Sequence, residues 1–324
     1  MISRRQFTCF AAAAFLGSSA QAQSYPVRPI KLVIPFPPGG AFDAVGRPWA
    51  ERMKENSATV VVENMGGGGS SIGAAAVTRA QPDGYTLLLG GTQTHVNEAL
   101  LKSKPLYDPM KDLDPIAGVA ANVLCVAVHP SVPAKNLHEF VSYARANPEK
   151  LAYGHSGIGS IQHLAGELFK QLTDTPSIVQ VPYRGTGPVI TDLIAGQIPM
   201  GTPGVTRQVI ELHRAEKIRV LAVTGSSRLA AAPELPTAVE QGLSSLTVIG
   251  SIGLLGPAGT PRDIAEHIAA STRRIVSEPA FRDMLKESGI EPSSAVTPEK
   301  FRGSLAADLA LWSPVVKKLG LRVD

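Results

Sequence analysis

The strongest constraint on this chain is a rhythm. A short apolar run is followed by a turn rich in Gly, Ser or Thr, then by a stretch of helical periodicity, and the unit recurs from residue 30 onward. Short apolar runs bounded by turn residues predict buried strands, and a 3.6-residue period predicts helices. In the first block the predicted strands are 30–34, 59–63 and 85–89, and the predicted helices are 42–55, with Asp43 in its first turn, and 70–79. The turn Pro82-Asp83-Gly84 introduces the third strand. A βαβαβ order predicts a parallel sheet with right-handed crossovers.

After a Pro- and Asp-rich stretch at 105–115, the rhythm resumes with a strand at 123–128. Asn136 caps a helix over 137–146, which stops before Asn147-Pro148. Strands follow at 151–154, 178–181 and 219–223, with helices at 160–172, 188–195 and 205–215. A third block opens with a strand at 246–255 and closes with long helices at 261–288 and 298–318. In the first of these, Ile264, Ile268, Ile275 and Phe281 form an apolar stripe. Two sheets joined by crossings at 117–123 and 246–252 predict an α/β protein of two lobes with a cleft. The first lobe is assigned 23–122, the second 123–248, and the chain returns to the first over 249–324.

The N-terminus carries an export signal in the expected order. Arg4 and Arg5 are followed by an apolar stretch over 10–16 and by Ala20-Gln21-Ala22, so cleavage after residue 22 is predicted. Ser3-Arg4-Arg5-Gln6-Phe7 also fits a twin-arginine signal. Removing residues 1–22 takes two arginines and no acid, so the net charge falls from +4 to +2. Cys9 leaves with the signal, and Cys125, in an apolar run, is expected to be a buried structural thiol. A small net charge, no basic block and 5% aromatic residues exclude a nucleic-acid binder. At 44% apolar residues the chain can bury a large core.

Four turns carry whatever chemistry the chain has. They are Pro35-Phe36-Pro37-Pro38-Gly39-Gly40, Gly66-Gly67-Gly68-Gly69-Ser70-Ser71, Gly154-His155-Ser156-Gly157-Ile158-Gly159-Ser160 and Tyr183-Arg184-Gly185-Thr186-Gly187. Each leads from a strand into a helix, where open α/β sheets bind ligands and where unpaired N–H groups hold anions. Arg184 could meet a carboxylate, and His163 is expected to make a structural hydrogen bond. No dinucleotide or Walker A motif is complete, and the seven histidines form no metal pattern, so no cofactor or metal is expected. Gly69-Ser70-Ser71-Ile72-Gly73 matches G-x-S-x-G, which leaves a periplasmic serine hydrolase using Ser71 as an alternative. Several residues separate Ser71 from its strand, whereas a nucleophile elbow follows the strand directly.

In order along the chain stand Tyr25-Pro26-Val27-Arg28-Pro29-Ile30, the 35–40 turn with Asp43, Pro82-Asp83-Gly84-Tyr85-Thr86-Leu87, and Gly154-His155-Ser156-Gly157 with 163–169. Val181-Pro182-Tyr183-Arg184-Gly185, the 192–197 and 235–242 segments, and Pro257-Ala258-Gly259-Thr260-Pro261 complete the series. With these markers the chain resembles the substrate-binding receptors of tripartite tricarboxylate transporters, the Bug-type or TctC-like periplasmic proteins. The resemblance covers nearly all of residues 25–324. It implies a type 2 periplasmic binding protein fold, a Venus flytrap of two α/β lobes. It also implies a periplasmic, monomeric, non-enzymatic receptor that takes a small organic acid and delivers it to a membrane permease. An orphan receptor sensing a solute for a signalling partner is a further reading.

Carried onto this chain, the family's site implies Phe36, Gly39, Gly40, Ala41 and Asp43, with Gly91 and Thr92, from the first lobe. The second lobe would supply Ser156, Gly157, Ser160 and Thr202. The family commonly carries aspartates where this chain has Ile198-Pro199 and 200–204, and an aromatic near Ser251 is absent.

Overall fold

The computed structural model describes residues 25–56 and 58–323; the export signal expected over 1–22, and with it Cys9, lies outside them. The first block forms β1 (Ile30–Ile34), α1 (Ala41–Asn56), β2 (Val60–Asn64), α2 (Ser71–Thr78) and β3 (Thr86–Gly91). Next come α3 (Thr92–Val96), continued by a wider turn over Asn97–Leu101, and the long β4 (Leu113–Val123). The second block holds β5 (Cys125–Val128), α4 (Leu137–Ala146), β6 (Ala152–His155), α5 (Ile161–Thr173) and β7 (Val179–Pro182). It continues with α6 (Thr186–Ile194), β8 (Met200–Gly201), α7 (Arg207–Arg214) and β9 (Arg219–Val223). The last block is β10 (Ile249–Pro257), α8 (Arg262–Ser277), α9 (Pro279–Glu287), β11 (Ile290–Pro292) and α10 (Pro298–Leu319).

The strands make two sheets. The first has the order β11-β4-β10-β3-β1-β2, and the second β7-β6-β8-β5-β9. The parallel pairing expected of the βαβ rhythm is found where that rhythm is clearest, β1 with β2 and β3, and β6 with β7 and β8. Both sheets are nevertheless mixed. β10 runs antiparallel to β3 and β4, β11 antiparallel to β4, and β5 antiparallel to β8 and β9. β5 and β10 enter their sheets directly from a crossing, so no crossover helix sets their direction, whereas β11 reaches the far side of β4 through α8 and α9 and so runs parallel to β10.

The chain leaves the first sheet through β4, passes Leu124 and enters the second as β5. It returns where Val248 leads into β10. Thr224 joins the two crossings. Its hydroxyl accepts from Leu124 N–H at 2.9 Å and lies 2.6 Å from the Val248 carbonyl, while its backbone N–H donates to Leu124 O.

One helix is two. The helix expected over 261–288 breaks at Glu278, whose ψ of 125° is extended. Pro279 disfavours the helical conformation in the residue before it and then opens α9 at a position where no N–H is needed. Ile268, Ile275 and Phe281 are fully buried against β1, β3 and β4, whereas Ile264 is half-buried at the margin of that core. α10 reaches both lobes. Phe301 and Leu305 pack with Val33, Leu88 and Leu255 of the first sheet, while Trp312 and Val316 pack with Leu164 and Phe169 of α5. No helix among the described residues is long and apolar enough to cross a membrane.

Candidate functional site

A cleft lies between the two sheets, lined by residues of both. The first lobe builds its wall with the β1–α1 turn. Phe36, Pro37, Pro38, Gly39, Gly40 and Ala41 line it. Asp43 does not. It is buried behind the turn, where Oδ2 accepts from Gly39 N–H at 2.6 Å and Oδ1 accepts from Asn64 Nδ2 at 3.0 Å. Arg47, one helical turn on, neutralises that carboxylate at 3.3 Å. Asp43 therefore shapes the turn and keeps its charge away from the ligand space.

The second lobe supplies two turns. Ser156 lines the cleft from the first of them, and Arg184, Gly185, Thr186 and Gly187 line it from the second. Gln162, buried on α5, ties them together. Its Oε1 accepts from Ser156 N–H at 3.1 Å and its Nε2 donates to Thr186 Oγ1 at 2.8 Å. Ser160 caps α5, its hydroxyl accepting from His163 N–H, and Thr202 donates to the Gln162 carbonyl at 2.8 Å. Neither lines the cleft; both hold the helix that carries Gln162. Gly157 likewise stands beside the lining, with a positive φ of 126° that turns the loop.

Under this loop lies a histidine pair. His163 Nδ1 accepts from Gly159 N–H at 3.2 Å, the structural bond expected of it, and its ring stacks on His155 at 4.6 Å. Burial, and then the His155 ring, push the His163 imidazole down to about 4, and burial lowers His155 as well. Both rings are neutral near pH 7.

The floor is the crossing. Gly91 and Thr92 do not line the cleft. The Thr92 hydroxyl donates to Asp308 Oδ2 at 2.5 Å and accepts from Ser251 N–H at 2.8 Å, and Ser251 does line it. Burial raises the Asp308 carboxyl, which the two hydroxyls of Thr92 and Ser251 partly offset. Asn122, Leu124, Gly204 and Gly250 complete the floor.

Of the eleven residues carried over, the structure gathers Phe36, Gly39, Gly40, Ala41 and Ser156 on the cleft surface and puts Asp43, Gly91, Thr92, Gly157, Ser160 and Thr202 behind it. Lining residues that the sequence reading did not single out include Gln93, Asn122, Gln162 and Thr206. Gln162 and Thr206 sit inside predicted helices, Asn122 in the predicted crossing and Gln93 between predicted elements, and nothing in a local pattern marks any of them. The 66–71 turn stands outside the cleft. The Ser71 hydroxyl, proposed above as a nucleophile, is buried between Glu98, Asn97 and the Gly68 carbonyl, and no described histidine bonds to it. Cys125 is buried, its thiol pushed up by burial and donating to Pro203 O at 3.5 Å.

Among the described residues lining the cleft, Arg184 alone is ionisable, and no described acid pairs with it. The N-termini of α1, α5 and α6 end at the lining residues Ala41, Ile161 and Thr186. Their positive dipole ends lie at this space, with first-turn N–H groups at each, although in α5 the His163 N–H is already taken by the Ser160 cap. The arrangement suits an anion.

Comparison with known proteins agrees. The family described as "Tripartite tricarboxylate transporter family receptor" matches residues 45–321. Protein BugT of Bordetella pertussis is 31% identical over 97% of this chain and 96% of its own length. The structure of the periplasmic binding protein BugD superposes with a TM-score of 0.86 at 31% identity, covering 92% of this chain and 99% of that one. MatC from Rhodopseudomonas palustris, solved with bound malate, gives 0.84 at 30% identity over 90% of this chain and 100% of that one. A second R. palustris protein, solved with adipate, gives 0.87 at 31% identity over 92% and 99%. The two-sheet α/β architecture is thus that of the periplasmic binding proteins, and the chain belongs to the tripartite tricarboxylate transporter receptor family, the TctC and Bug proteins.

Proposed function

We propose that this protein is an extracytoplasmic receptor that captures a small carboxylate in its cleft and presents it to the membrane permease of a tripartite tricarboxylate-type transporter. The observation that carries the reading is the cleft's charge pattern. Three helix N-termini and Arg184 stand at the ligand space, and the acids behind its lining are engaged, Asp43 by Arg47 and Asp308 by the hydroxyls of Thr92 and Ser251. The malate and adipate bound to two relatives are of the same chemical class. Backbone N–H groups and amides bind a carboxylate without the conformational cost of ordering long side chains. The lobes divide near 122/123 and 248/249, and the closing of one on the other dries the cleft and strengthens those bonds. Ligand-binding groups are Phe36, Gly39, Gly40, Ala41 and Ser156 with Gln162, Arg184 and Thr186.

A calorimetric and melting screen over mono-, di- and tricarboxylates tests the reading. One acid should bind with a 1:1 stoichiometry and raise the melting temperature. Absence of any carboxylate that does so, with amines or neutral sugars binding instead, would overturn it.

A further inference from the structure

The turns of the cleft and its floor offer an anion different surroundings. Arg184 and the N-termini of α1, α5 and α6 all belong to the turns that follow β1, β6 and β7. The floor, built on the β4–β10 crossing, has no cation among its described lining residues. Ser251 is the half-buried polar side chain there, and its hydroxyl lies 3.2 Å from Asp308 Oδ2. Asp308, on α10, takes a second hydroxyl from Thr92 and forms no ion pair with any described cation. Hydroxyl donors hold a carboxylate in place but bring no opposite charge to cancel its field. A ligand carboxylate set against Ser251 would face a like charge across one side chain, and a closed cleft screens that repulsion less than water does. Ser251 has one hydroxyl proton, so serving such a carboxylate would also mean giving up Asp308.

The walls suit a body without charge. Phe36 and Phe42 stand half-buried, with ring centroids 4.5 Å apart, and Pro37 and Pro38 continue that wall. Pro188, exposed in the first turn of α6, belongs to the wall of the second lobe. Accessible apolar side chains gathered on both sides of a cleft favour an apolar occupant.

We infer that the ligand is a monocarboxylate with an apolar body. Its one carboxylate meets the turns, its body lies against the Phe36–Phe42 wall, and Asp308, acting through Ser251, disfavours a second carboxylate at the floor. The inference rests on the carboxylate reading and narrows it. It also separates this chain from the two relatives that hold malate and adipate, both of which carry two carboxylates.

Calorimetry at pH 7.5 on acids of equal skeleton tests it, using butyrate against succinate, hexanoate against adipate, and benzoate against terephthalate. In the wild-type protein the monoacid of at least one pair should bind about tenfold tighter or more. Hexanoate should bind about tenfold tighter than butyrate, as two further CH₂ groups leave water. In Asp308→Asn, which keeps acceptors for both hydroxyls, the preference for the monoacid should fall to about threefold or less, with the monoacid bound nearly as before. A merely structural role would weaken both members of a pair alike. Should Asp308→Asn not melt cooperatively, Asp308→Ser takes its place, and the wild-type ranking alone still decides. If no monoacid outbinds its diacid by about tenfold, the inference falls and the carboxylate reading stands. A preference that survives in the Asp308 variants overturns the role of Asp308. Failure of every carboxylate to bind overturns both readings.

Discussion

His163 couples the loop under the ligand to pH. Its Nδ1 must stay unprotonated to accept from Gly159 N–H, and burial beside His155 lowers it from 6.5 to about 4. Glu167 favours the charged ring and Lys170 disfavours it, but both act less strongly than burial and His155. In the unfolded chain the same imidazole takes a proton near its ordinary value. Between these two values the unfolded state holds more protons than the folded one, so stability rises with pH there and falls as pH drops from about 6.5 towards 4. Urea midpoints measured from pH 7 to 5 should decline, and His163→Gln should decline less steeply than wild type. Parallel lines would show that another group carries the dependence, His95, also lowered to about 4, being the first to replace. Gln162 works at the same scale. Gln162→Leu removes the bonds to Ser156 N–H and Thr186 Oγ1, and should cost about 1–3 kcal/mol of stability and weaken carboxylate binding, both readable in one melting and titration series. Unchanged affinity would mean that the two turns hold their places without it.

At the scale of elements, the junctions between lobes rest on a few residues whose roles are specific. Thr224→Val keeps the shape of the side chain but strands a buried N–H and a carbonyl at the crossings. A loss of about 1–3 kcal/mol in denaturant unfolding is expected, and a neutral result would show that the crossings are held by their sheets alone. Gly91 is constrained twice. Its φ is +156°, and a Cβ would lie 1.8 Å from the Ser251 carbonyl, so Gly91→Ala must push β3 and β10 apart. The variant should lose more than about 2 kcal/mol, or fail to accumulate. These junctions also mark how far the sequence could be read. β1 to β3 and α4 to α5 were legible because the apolar period, and at α4 the cap Asn136, agree with the final packing. β8 was not legible, since two residues carry no period, nor was the antiparallel entry of β10, which follows from the return crossing. In the site, the glycine turns announced themselves, yet only two of them and part of a third reach the cleft surface. Gln162 and Asn122 looked like ordinary polar residues until the fold brought distant segments to them.

At the scale of the molecule, the lobes already meet at the cleft mouth. A Cβ on Gly185 of the second lobe would come within 3.3 Å of the Pro37 ring of the first, and both residues line the cleft. α10 meanwhile packs on both lobes through separate clusters, so a change at the mouth can alter closing without unfolding either core. If ligand binding and closing are one event, a carboxylate at about a hundred times its dissociation constant adds about 2.7 kcal/mol to the closed state, a rise of about 3–6 °C in melting temperature for a chain of this length. Gly185→Ala separates the two contributions. The φ of +113° strains an alanine whether the cleft is open or shut, whereas contact with Pro37 exists only when the lobes approach. The unliganded protein should therefore melt slightly earlier. Its carboxylate affinity should fall by at least about threefold, because overpacking acts on the closed state alone. The acid-induced decrease in radius of gyration, measured by small-angle scattering, should shrink in parallel. A variant that melts early but binds and compacts like wild type would place closing elsewhere than at the Pro37–Gly185 contact.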